Sequence, residues 1–558
     1  MFLALIAAAA SAKPLHIVQI IADDLGYNDL ASANGNKTST PAIDGLLHDG
    51  IRLDAYHTFK VCAPSRTSIM TGRYPWKTGY YDMTDDGNHC VDPRFTMLPQ
   101  LLKGAGYATH AIGKWDVGSI NKRCTPTDRG FDSFVGYYEA CLEDYWYHFS
   151  PACHDATIGF LPVDLSKNTA ADSAGGGHIG GLSGHNGTYH AHLFKNVAVG
   201  IIERHAATSG GSPLFLYLAP QNVHLGCGTG IPGTAKPHGP IQAPCGSVDL
   251  FGLTAGDTQK AQAANLLELD YVVGNVSAAL HRASMWDQTV LVFASDNGGP
   301  LDHTTNAPLR GGKHTFWEGG VRVVGLVSGG ALPPARRGVA YEGLLHSSDW
   351  LPTFVQGVAG AALPPNGTEP TAYDGVDAWQ SLLSGGASPR VEVIHQVRNR
   401  HFNDSSTGYA LRVGDFKLVV GDAGDHRILA WPEPSDTPTA FGTDGGVREP
   451  GTEHCRAPSG CSPGQCGTRS PCNPHCLFDV ARDAAEAHDL CPGGTCANAS
   501  HASTLRALLA RLEEAGEEGP PTSLAYYYGD KTKEEKAMKL RCDNAKQTNF
   551  IEPVELPR

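Results

Sequence analysis

Beyond its first residues, the sequence lacks any stretch approaching the roughly 18 consecutive apolar residues of a membrane-spanning helix. The opening run MFLALIAAAASA is too short to span a bilayer, and its last residues, Ala10, Ser11 and Ala12, resemble the cleavage site of a secretory leader. It has no Lys or Arg, so a truncated or misassigned start is the alternative. We expect residues 1–12 to be a signal peptide and the mature chain to be soluble.

The sequence also lacks an excess of positive charge. Its 43 Lys and Arg residues are outnumbered by 57 Asp and Glu residues, which gives a net charge of −14 at pH 7. This balance argues against nucleic acid as a partner and against a general attraction for polyanions, so an anionic substrate would need local cations. A chain of 558 residues, 41% of them hydrophobic, can bury a large core and suggests more than one domain.

The cysteine-rich part of the sequence lacks the two Cys-x-x-Cys pairs typical of a zinc site, so we favour disulfides over zinc there. Setting Cys62 aside leaves 14 of the 15 cysteines, an even number that could pair completely in an oxidising compartment. Asparagines in Asn-x-Ser/Thr acceptors fit a glycosylated product of the secretory pathway. They are Asn36, Asn186, Asn275, Asn366, Asn403 and Asn498.

Buried strands and helices alternate along the first two thirds of the sequence. The runs LHIVQIIADDLG, PLFLYLAPQNVH and TVLVFASDNGG each read as a buried parallel strand that emerges into a polar loop. Helical patterns such as TQKAQAANLLELDYVVGNVSAALHRA lie between them. This alternation predicts an α/β fold with a large, mostly parallel sheet between helices.

From about residue 396 the pattern changes to short strands, as in YALRVGDFKLVVG, followed by a Pro/Gly/Cys-rich stretch over 431–476 and a terminal helical pattern. We therefore expect a catalytic domain over 13–395 and a smaller, disulfide-rich α+β subdomain over 396–558. The Gly-rich segment 172–187 reads as an inserted loop.

Polar residues follow three predicted strands, where open α/β sheets place their chemistry. They are Asp23, Asp24, His224, Asp296 and Asn297. Carboxylate and amide oxygens suit Ca²⁺ or Mg²⁺ better than zinc. Taken singly, such residues are as well explained as helix caps or turn formers.

The segment VCAPSRTSIMTGRY predicts a helix beginning near Cys62, with Pro64 in its first turn and Gly72 at its end. A group at that N-terminus would face free backbone N–H groups, and Arg66 would add a fixed cation. An ordinary buried or disulfide-bonded cysteine is the structural alternative.

These residues carry a resemblance to the sulfatase family. CAPSRTSIMTGR matches the signature Cys-x-Pro-Ser-Arg-x4-Thr-Gly-Arg, whose cysteine is oxidised to formylglycine in the secretory pathway. The order of further motifs is also similar to that of sulfatases, and closest to the arylsulfatase B-like branch, whose members remove 4-sulfate from N-acetylgalactosamine. These motifs are ADDLGYND, GKWDVG, RGFDSFVGYY, VFASDNGGP, LRGGKHTFWEGGVR, HSSDWLPTF, DGVD, LRVGDFKLV and LFDVARDAAEAHDL.

The resemblance implies an alkaline-phosphatase-like fold and one Ca²⁺ or Mg²⁺ ion per chain. Its implied ligands are Asp23, Asp24, modified Cys62, Asp296 and Asn297.

The resemblance also implies roles for four other side chains. Lys114 and Lys313 would neutralise sulfate oxygens, Arg66 would orient the hydrated aldehyde, and His224 would protonate the departing alcohol.

Two positions depart from the family pattern. The usual Gly-Lys-Trp-His-Leu-Gly reads GKWDVG here, so Asp116 stands where a histidine assists the formylglycine hydroxyl. A carboxylate could still accept the proton, but it would place a negative charge beside an anionic substrate. VHLG, which carries His224, lacks a proline that relatives usually have.

The resemblance thus implies an exported sulfatase that acts on a sulfate ester, with a sulfated glycan as the favoured substrate, and that is matured by a formylglycine-generating enzyme. Its destination would be extracellular or lysosomal. One alternative is a phosphate or phosphonate monoester hydrolase of the same fold. The other, suggested by Asp116 alone, is a catalytically silent glycan-binding protein.

Overall fold

A computed structural model describes most of the chain. The described residues are 14–79, 90–142, 144–150, 153, 162–170, 180–181, 184–226, 241–250, 258–365, 367–397, 408–429, 454–456, 472, 474–518, 531–548 and 550–551. The expected leader, most of 172–187 and most of 431–476 lie outside them.

The strands are β1 His16–Ala22, β2 Ile51–Leu53, β3 Tyr56–His57, β4 Ala108–Lys114, β5 Ser133–Tyr137, β6 Ser166–Thr169, β7 Gly180–Gly181, β8 Leu214–Ala219, β9 Gln242–Pro244, β10 Thr289–Ser295, β11 Gly325–Ser328, β12 Val339–Tyr341, β13 Leu345–His346, β14 Glu392–Gln396, β15 Tyr409–Val413, β16 Phe416–Val420, β17 His454–Arg456 and β18 His475–Asp479.

The α-helices are α1 Ala31–Asn34, α2 Pro41–His48, α3 Cys62–Thr71, α4 Pro75–Thr78, α5 Leu98–Gly104, α6 His190–Thr208, α7 Cys245–Leu250, α8 Thr258–Arg282, α9 Glu318–Val321, α10 Trp350–Pro352, α11 Trp379–Ser384, α12 Ala499–Glu517 and α13 Lys531–Thr548.

A ten-stranded sheet forms the centre of the molecule, in the order β12-β2-β11-β10-β1-β8-β4-β5-β6-β7. Its middle five strands, β10, β1, β8, β4 and β5, are parallel, while the pairs β10/β11, β11/β2, β5/β6 and β6/β7 are antiparallel. Strands β8 and β10 are buried along their whole length, because helices cover both faces and both sets of alternating side chains must be apolar. The three strands expected from the sequence are confirmed as β1, β8 and β10.

Two apolar clusters lie on opposite faces of this sheet. One contains side chains of α3, α5 and α10, such as Ile69, Leu98 and Leu351. The other contains side chains of α2, α6 and α8, such as Ile202 and Val273. The predicted sandwich of helix, mostly parallel sheet and helix is therefore confirmed.

A four-stranded antiparallel sheet, β14-β15-β16-β18, forms the smaller C-terminal unit. Leu505 and Leu508 of α12 pack against Leu411 and Leu418 of this sheet. The sheet begins with β14, Glu392–Gln396, which crosses the boundary expected between residues 395 and 396. Helix α13 is tied instead to the main body, through the Cys153–Cys542 disulfide.

Four cysteines of the C-terminal region, where zinc was the alternative, are bonded in disulfides. The structure contains Cys472–Cys476 and Cys491–Cys496 in this region, and Cys90–Cys124 and Cys153–Cys542 elsewhere. Cys62 is a free, buried thiol.

Three glycosylation acceptors, Asn36, Asn186 and Asn498, are exposed, and Asn275 is partly exposed. Asn366 and Asn403 lie outside the described residues. No helix in the described part of the chain has the length and apolar character needed to cross a membrane.

Candidate active site

Four adjacent parallel strands end at one edge of the central sheet and deliver most of the candidate residues there. Strand β1 is followed by Asp23 and Asp24, and β10 by Asp296 and Asn297. Strand β4 ends at Lys114, with Asp116 two residues on, and β8 leads into the turn before His224. Parallel strands place all their carboxyl ends on one side, which is why residues far apart in sequence meet.

Three carboxylates of the site are each paired with a buried cation. Lys114 Nζ lies 2.7 Å from Asp23 Oδ2, and Lys313 Nζ lies 2.8 Å from Asp24 Oδ1. The Arg66 guanidinium donates to Asp296 Oδ2 from Nε at 3.0 Å and from Nη2 at 2.7 Å. Such pairs are costly to break, because either partner alone would be an uncompensated charge in the interior.

Burial raises the pKa values of these three carboxyl groups, whereas the paired cations lower them. Burial opposes ionisation of Asp23 and Asp24, but the charges of Lys114 and Lys313 prevail and lower the pKa of both carboxyls. For Asp296, burial and the nearby charge of Asp23 raise the pKa to about 7 despite Arg66.

Cys62 is the first residue of α3, as the sequence predicted, and Arg66 follows one turn later. The helix ends at Gly72, whose φ of 67° is the left-handed conformation that glycine adopts without strain. Burial, followed by the charge of Asp116, raises the pKa of the Cys62 thiol. The unmodified side chain is therefore a neutral thiol and a poor nucleophile.

The oxygen-rich end of the site fits a hard cation. Asp23 Oδ1 and Asn297 Oδ1 are buried and find no hydrogen-bond partner among the described residues. Asn297 Nδ2 donates 2.7 Å to Asp24 Oδ1, which leaves the amide oxygen directed elsewhere. Asp23, Asp24 and His224 can bring one ligand atom each within 4.8 Å of one another. The donor set is predominantly oxygen, as Ca²⁺ or Mg²⁺ requires.

His224 lies beside Lys313 at the rim of this cluster. The distance from Lys313 Nζ to His224 Nε2 is 3.0 Å, and His224 Nδ1 lies 2.5 Å from the carbonyl oxygen of Leu225. Burial and the charge of Lys313 lower the pKa of His224, so the resting imidazole is neutral and accepts at Nε2.

Close backbone contacts explain the glycine pairs in SDNGG and WEGG. A Cβ at Gly298 would lie 1.8 Å from the carbonyl oxygen of Gly319. Gly298 N–H donates to the carbonyl of Gly320 at 3.0 Å, and Lys313 N–H donates to the carbonyl of Gly299 at 3.2 Å. The loop that carries Lys313 is thereby fastened to the loop that carries Asn297.

Asp116, where the sequence departs from its family pattern, is buried inside the site. Its φ of 50° is unusual for a residue other than glycine, and its side chain is 5% exposed. Oδ2 accepts no hydrogen bond from the described part of the chain, although Lys114 Nζ lies 3.5 Å away. One oxygen of this buried carboxylate is therefore available to accept a proton.

Sequence analysis missed two polar residues that hold the site loops together. Ser295 accepts from the backbone N–H of Leu25 at 3.1 Å and donates to the carbonyl of Asn297 at 2.8 Å. Asn306 accepts from Gly299 N–H at 3.0 Å and donates to the carbonyl of Gly311 at 3.2 Å. Ser295 directly precedes Asp296, and this adjacency could have identified it; Asn306 has no comparable signal.

Comparison with known proteins gives one family. Residues 16–360 match the family model described as Sulfatase. Arylsulfatase J of Mus musculus is 33% identical over 432 residues, which are 75% of this chain and 66% of that protein. Arylsulfatase A of Bos taurus is 30% identical over 442 residues, 74% of this chain and 76% of its own length. N-acetylgalactosamine-6-sulfatase of Sus scrofa is 26% identical over 394 residues, 68% of each chain.

Two solved structures show the same fold. Ps i-CgsB in complex with k-i-k-neocarrahexaose has a TM-score of 0.66 and 23% identity, covering 91% of this chain and 94% of its own. Phosphonate Monoester Hydrolase of Agrobacterium radiobacter has a TM-score of 0.51 and 15% identity, covering 90% and 96%. The predicted fold class is confirmed by these neighbours, and the family and arylsulfatase matches support sulfuric ester hydrolase activity.

Proposed function

The chain belongs to the sulfatase family, and we propose that it hydrolyses sulfate esters through a formylglycine made from Cys62, assisted by a bound Ca²⁺ or Mg²⁺ ion. The observation that carries this proposal is the setting of Cys62. It is a free thiol at the start of a buried helix. The charges of four side chains act on the pKa of this thiol: Asp116, Lys114, Lys313 and Asp23.

The modified residue explains why a cysteine stands where the environment suppresses its thiolate. The hydrated aldehyde would supply one hydroxyl for attack on sulfur and a second whose deprotonation expels sulfate. A serine could perform only the first of these steps.

The cation would be held by the oxygens of Asp23, Asp24, Asp296 and Asn297 together with the modified side chain of residue 62. Bound there, it would supply charge stabilisation for a sulfate oxygen. Two of the required oxygens, Asp23 Oδ1 and Asn297 Oδ1, are the buried acceptors without partners among the described residues.

The cationic side chains would bind and orient the ester. Lys114 and Lys313 would neutralise sulfate oxygens, and Arg66, fixed by Asp296, would orient the hydrated aldehyde. His224 would protonate the departing alcohol. Because His224 is neutral at rest, it would first take up a proton from solvent, and the Lys313 ammonium, 3.0 Å from Nε2, would orient the imidazole.

Asp116 would accept the proton of the attacking hydroxyl in place of the family's histidine. The placement of its carboxylate supports this role, since it is buried and one oxygen accepts no hydrogen bond from the described residues. Lys114, 3.5 Å away, offsets the repulsion between this carboxylate and an anionic substrate.

For the substrate we propose a sulfated glycan. Two proteins similar to this chain support the class: one relative is named an N-acetylgalactosamine-6-sulfatase, and one structural neighbour was solved with an oligosaccharide. The sequence motifs resemble the arylsulfatase B-like branch, whose substrate is N-acetylgalactosamine 4-sulfate. The relatives reported above are named Arylsulfatase J and Arylsulfatase A, so they do not identify that branch. We retain it as a hypothesis.

We also propose export and maturation by a formylglycine-generating enzyme, with an extracellular or lysosomal destination. The disulfides support an oxidising compartment.

A phosphate or phosphonate monoester hydrolase is the second candidate, favoured by the structural similarity to a phosphonate monoester hydrolase. A silent glycan-binding protein would need a decayed site, and the buried ion pairs of Asp23, Asp24 and Asp296 with Lys114, Lys313 and Arg66 argue against such decay.

Replacement of the nucleophile tests the proposal. The full chain and Cys62→Ser would be produced with the formylglycine-generating system and assayed with aryl sulfate and aryl phosphate. We expect the native protein to prefer sulfate, and Cys62→Ser to become sulfated once and stop. Preference for phosphate would support the second candidate, and inactivity toward a panel of sulfated saccharides and aryl sulfates would support the third.

A further inference from the structure

Arg541 of α13 lies against the segment that carries Asp116, although it is far from that segment in sequence. Its side chain is fully buried. One guanidinium nitrogen donates 3.1 Å to Ser119 Oγ, and the same group forms an ion pair with buried Glu139. A buried arginine that bridges two segments fixes their relative position, because its planar donors allow few arrangements.

The two bridged segments are also joined by their backbones. Asp116 N–H donates to the carbonyl of Tyr138 at 3.2 Å. The Asp164 carboxylate accepts from the N–H groups of Tyr138 at 3.0 Å and Glu139 at 2.9 Å. A displacement of Glu139 would therefore be passed through Tyr138 to the backbone of Asp116.

The charge of Arg541 also acts on a second buried carboxylate, that of Asp164. Burial and the negative charge of Glu139 raise the pKa of Asp164 to about 7, and the charge of Arg541 opposes that rise. Removal of the guanidinium would take away the cation that pairs with buried Glu139, so the Glu139 side chain would lose the contact that fixes it.

Two attachments hold α13 in the position from which Arg541 reaches inward. The next residue, Cys542, is disulfide-bonded to Cys153. After the helix, Ile551 N–H donates 2.9 Å to the carbonyl of Val163, the neighbour of Asp164. The C-terminal end of the described chain is thus fixed at the place where Glu139 and Asp164 meet.

We propose that Arg541 is a positioning residue that holds Asp116 in its reactive orientation, an inference that rests on the proposed function of Asp116. The φ of 50° at Asp116 is the kind of conformation that persists only where surrounding contacts enforce it. Arg541 supplies such contacts to both of the segments that it bridges, at Ser119 and at Glu139.

A double-mutant cycle in the full chain, produced with the formylglycine-generating system, tests this inference. Arg541→Met should lower kcat toward a chromogenic aryl sulfate about tenfold, the scale of a displaced catalytic group, with little change in KM. In an Asp116→Asn background the same substitution should cost less than about twofold, because the group it positions is already gone. Arg541→Lys, which keeps the charge, should recover part of the loss.

The matched control is Lys539→Met, which removes a cation from an exposed ion pair with Asp543 on the same helix and should leave kcat unchanged. An equal cost of Arg541→Met in both backgrounds would overturn the inference and leave the role of Asp116 intact. Full activity of Asp116→Asn would overturn both. If Arg541→Met does not fold, Ser119→Ala, which removes only the hydrogen bond to the segment, enters the same cycle with the same criteria.

Discussion

At the scale of single residues, the site is a set of opposite charges held in a small buried volume. Three acids pair with Lys114, Lys313 and Arg66, and each pairing fixes a side chain that is proposed to meet either the cation or the substrate. Asp116 differs from the other acids, since its nearest cation lies 3.5 Å away and already pairs with Asp23. Its chemistry can therefore be tested separately from the integrity of the site.

Replacement of Asp116 should change the pH dependence of the reaction. Asp116→Asn cannot accept a proton and should lose roughly 10²-fold in kcat, the usual scale for a positioned acid–base group. Asp116→His should remain active with the acid limb of its pH–rate profile at higher pH, because a histidine loses its basic form below about pH 6.5. Steady-state rates from pH 4 to 9 measure both effects.

Two results would contradict this account. If Asp116→Asn turned over as fast as the native enzyme, the aspartate would have no acid–base role. If only Asp116→His were active, the native chain would be the silent glycan-binding protein.

At the scale of elements, the C-terminal sheet is joined to the active-site loops by a buried ion network. Lys417 of β16 lies 2.9 Å from Glu318 at the start of α9 and 2.9 Å from Glu486. The Glu318 backbone N–H donates to Glu486 at 2.6 Å. Gly319 and Gly320 of α9 contact Gly298, which follows Asn297. The small sheet therefore supports the loop that carries Asn297 through α9.

Glu486 should make folding stability depend on pH. Burial and the charge of Glu318 raise its pKa to about 7 despite Lys417, whereas an unfolded glutamate titrates near about 4.3. The folded protein then binds this proton more tightly. Its contribution, on the order of 4 kcal/mol at about 1.4 kcal/mol per pKa unit, is complete below pH 4 and lost as pH rises through about 7.

Glu486→Gln should remove this pH dependence. Urea unfolding of the disulfide-intact protein at pH 5 and pH 8 measures it, and Glu514→Gln, an exposed position on α12, is the matched control. An identical change between the two pH values in native protein and Glu486→Gln would refute the assignment.

Sequence patterns predicted the elements best where a single segment carries the information. The apolar runs of β1, β8 and β10 and the pattern of helix α3, Cys62–Thr71, are local signals, and each was found where expected. Lys114 and Lys313 could be identified only through family resemblance, because a lysine in a loop is ordinarily solvated.

The long-range ionic contacts could not be predicted from the sequence. The helix KTKEEKAMKLRCDNAKQT is rich in charge throughout, and nothing distinguishes Arg541, which is buried, from Lys539, which is exposed. Nothing in the strand sequence FKLVV indicates that Lys417 forms a buried ion pair. Such pairs depend on which distant segments the fold brings together, and periodicity contains no information about that.

At the scale of the whole molecule, activity should depend on a divalent cation. A chelator should abolish turnover, and Ca²⁺ or Mg²⁺ should restore it, because the donor set is almost entirely oxygen. Asp296→Ala should be inactive with either ion, while its circular dichroism and disulfides remain those of the native protein. Restoration by zinc alone would contradict the assignment.

The most direct test of the central claim is the chemical state of residue 62 in protein made with the formylglycine-generating system. Peptide mass spectrometry of the fragment containing Cys62 should show replacement of the thiol by an aldehyde that reacts with hydrazide reagents. The account predicts this product in every active preparation. An unmodified thiol in active protein, or a disulfide from Cys62 to another cysteine, would contradict it.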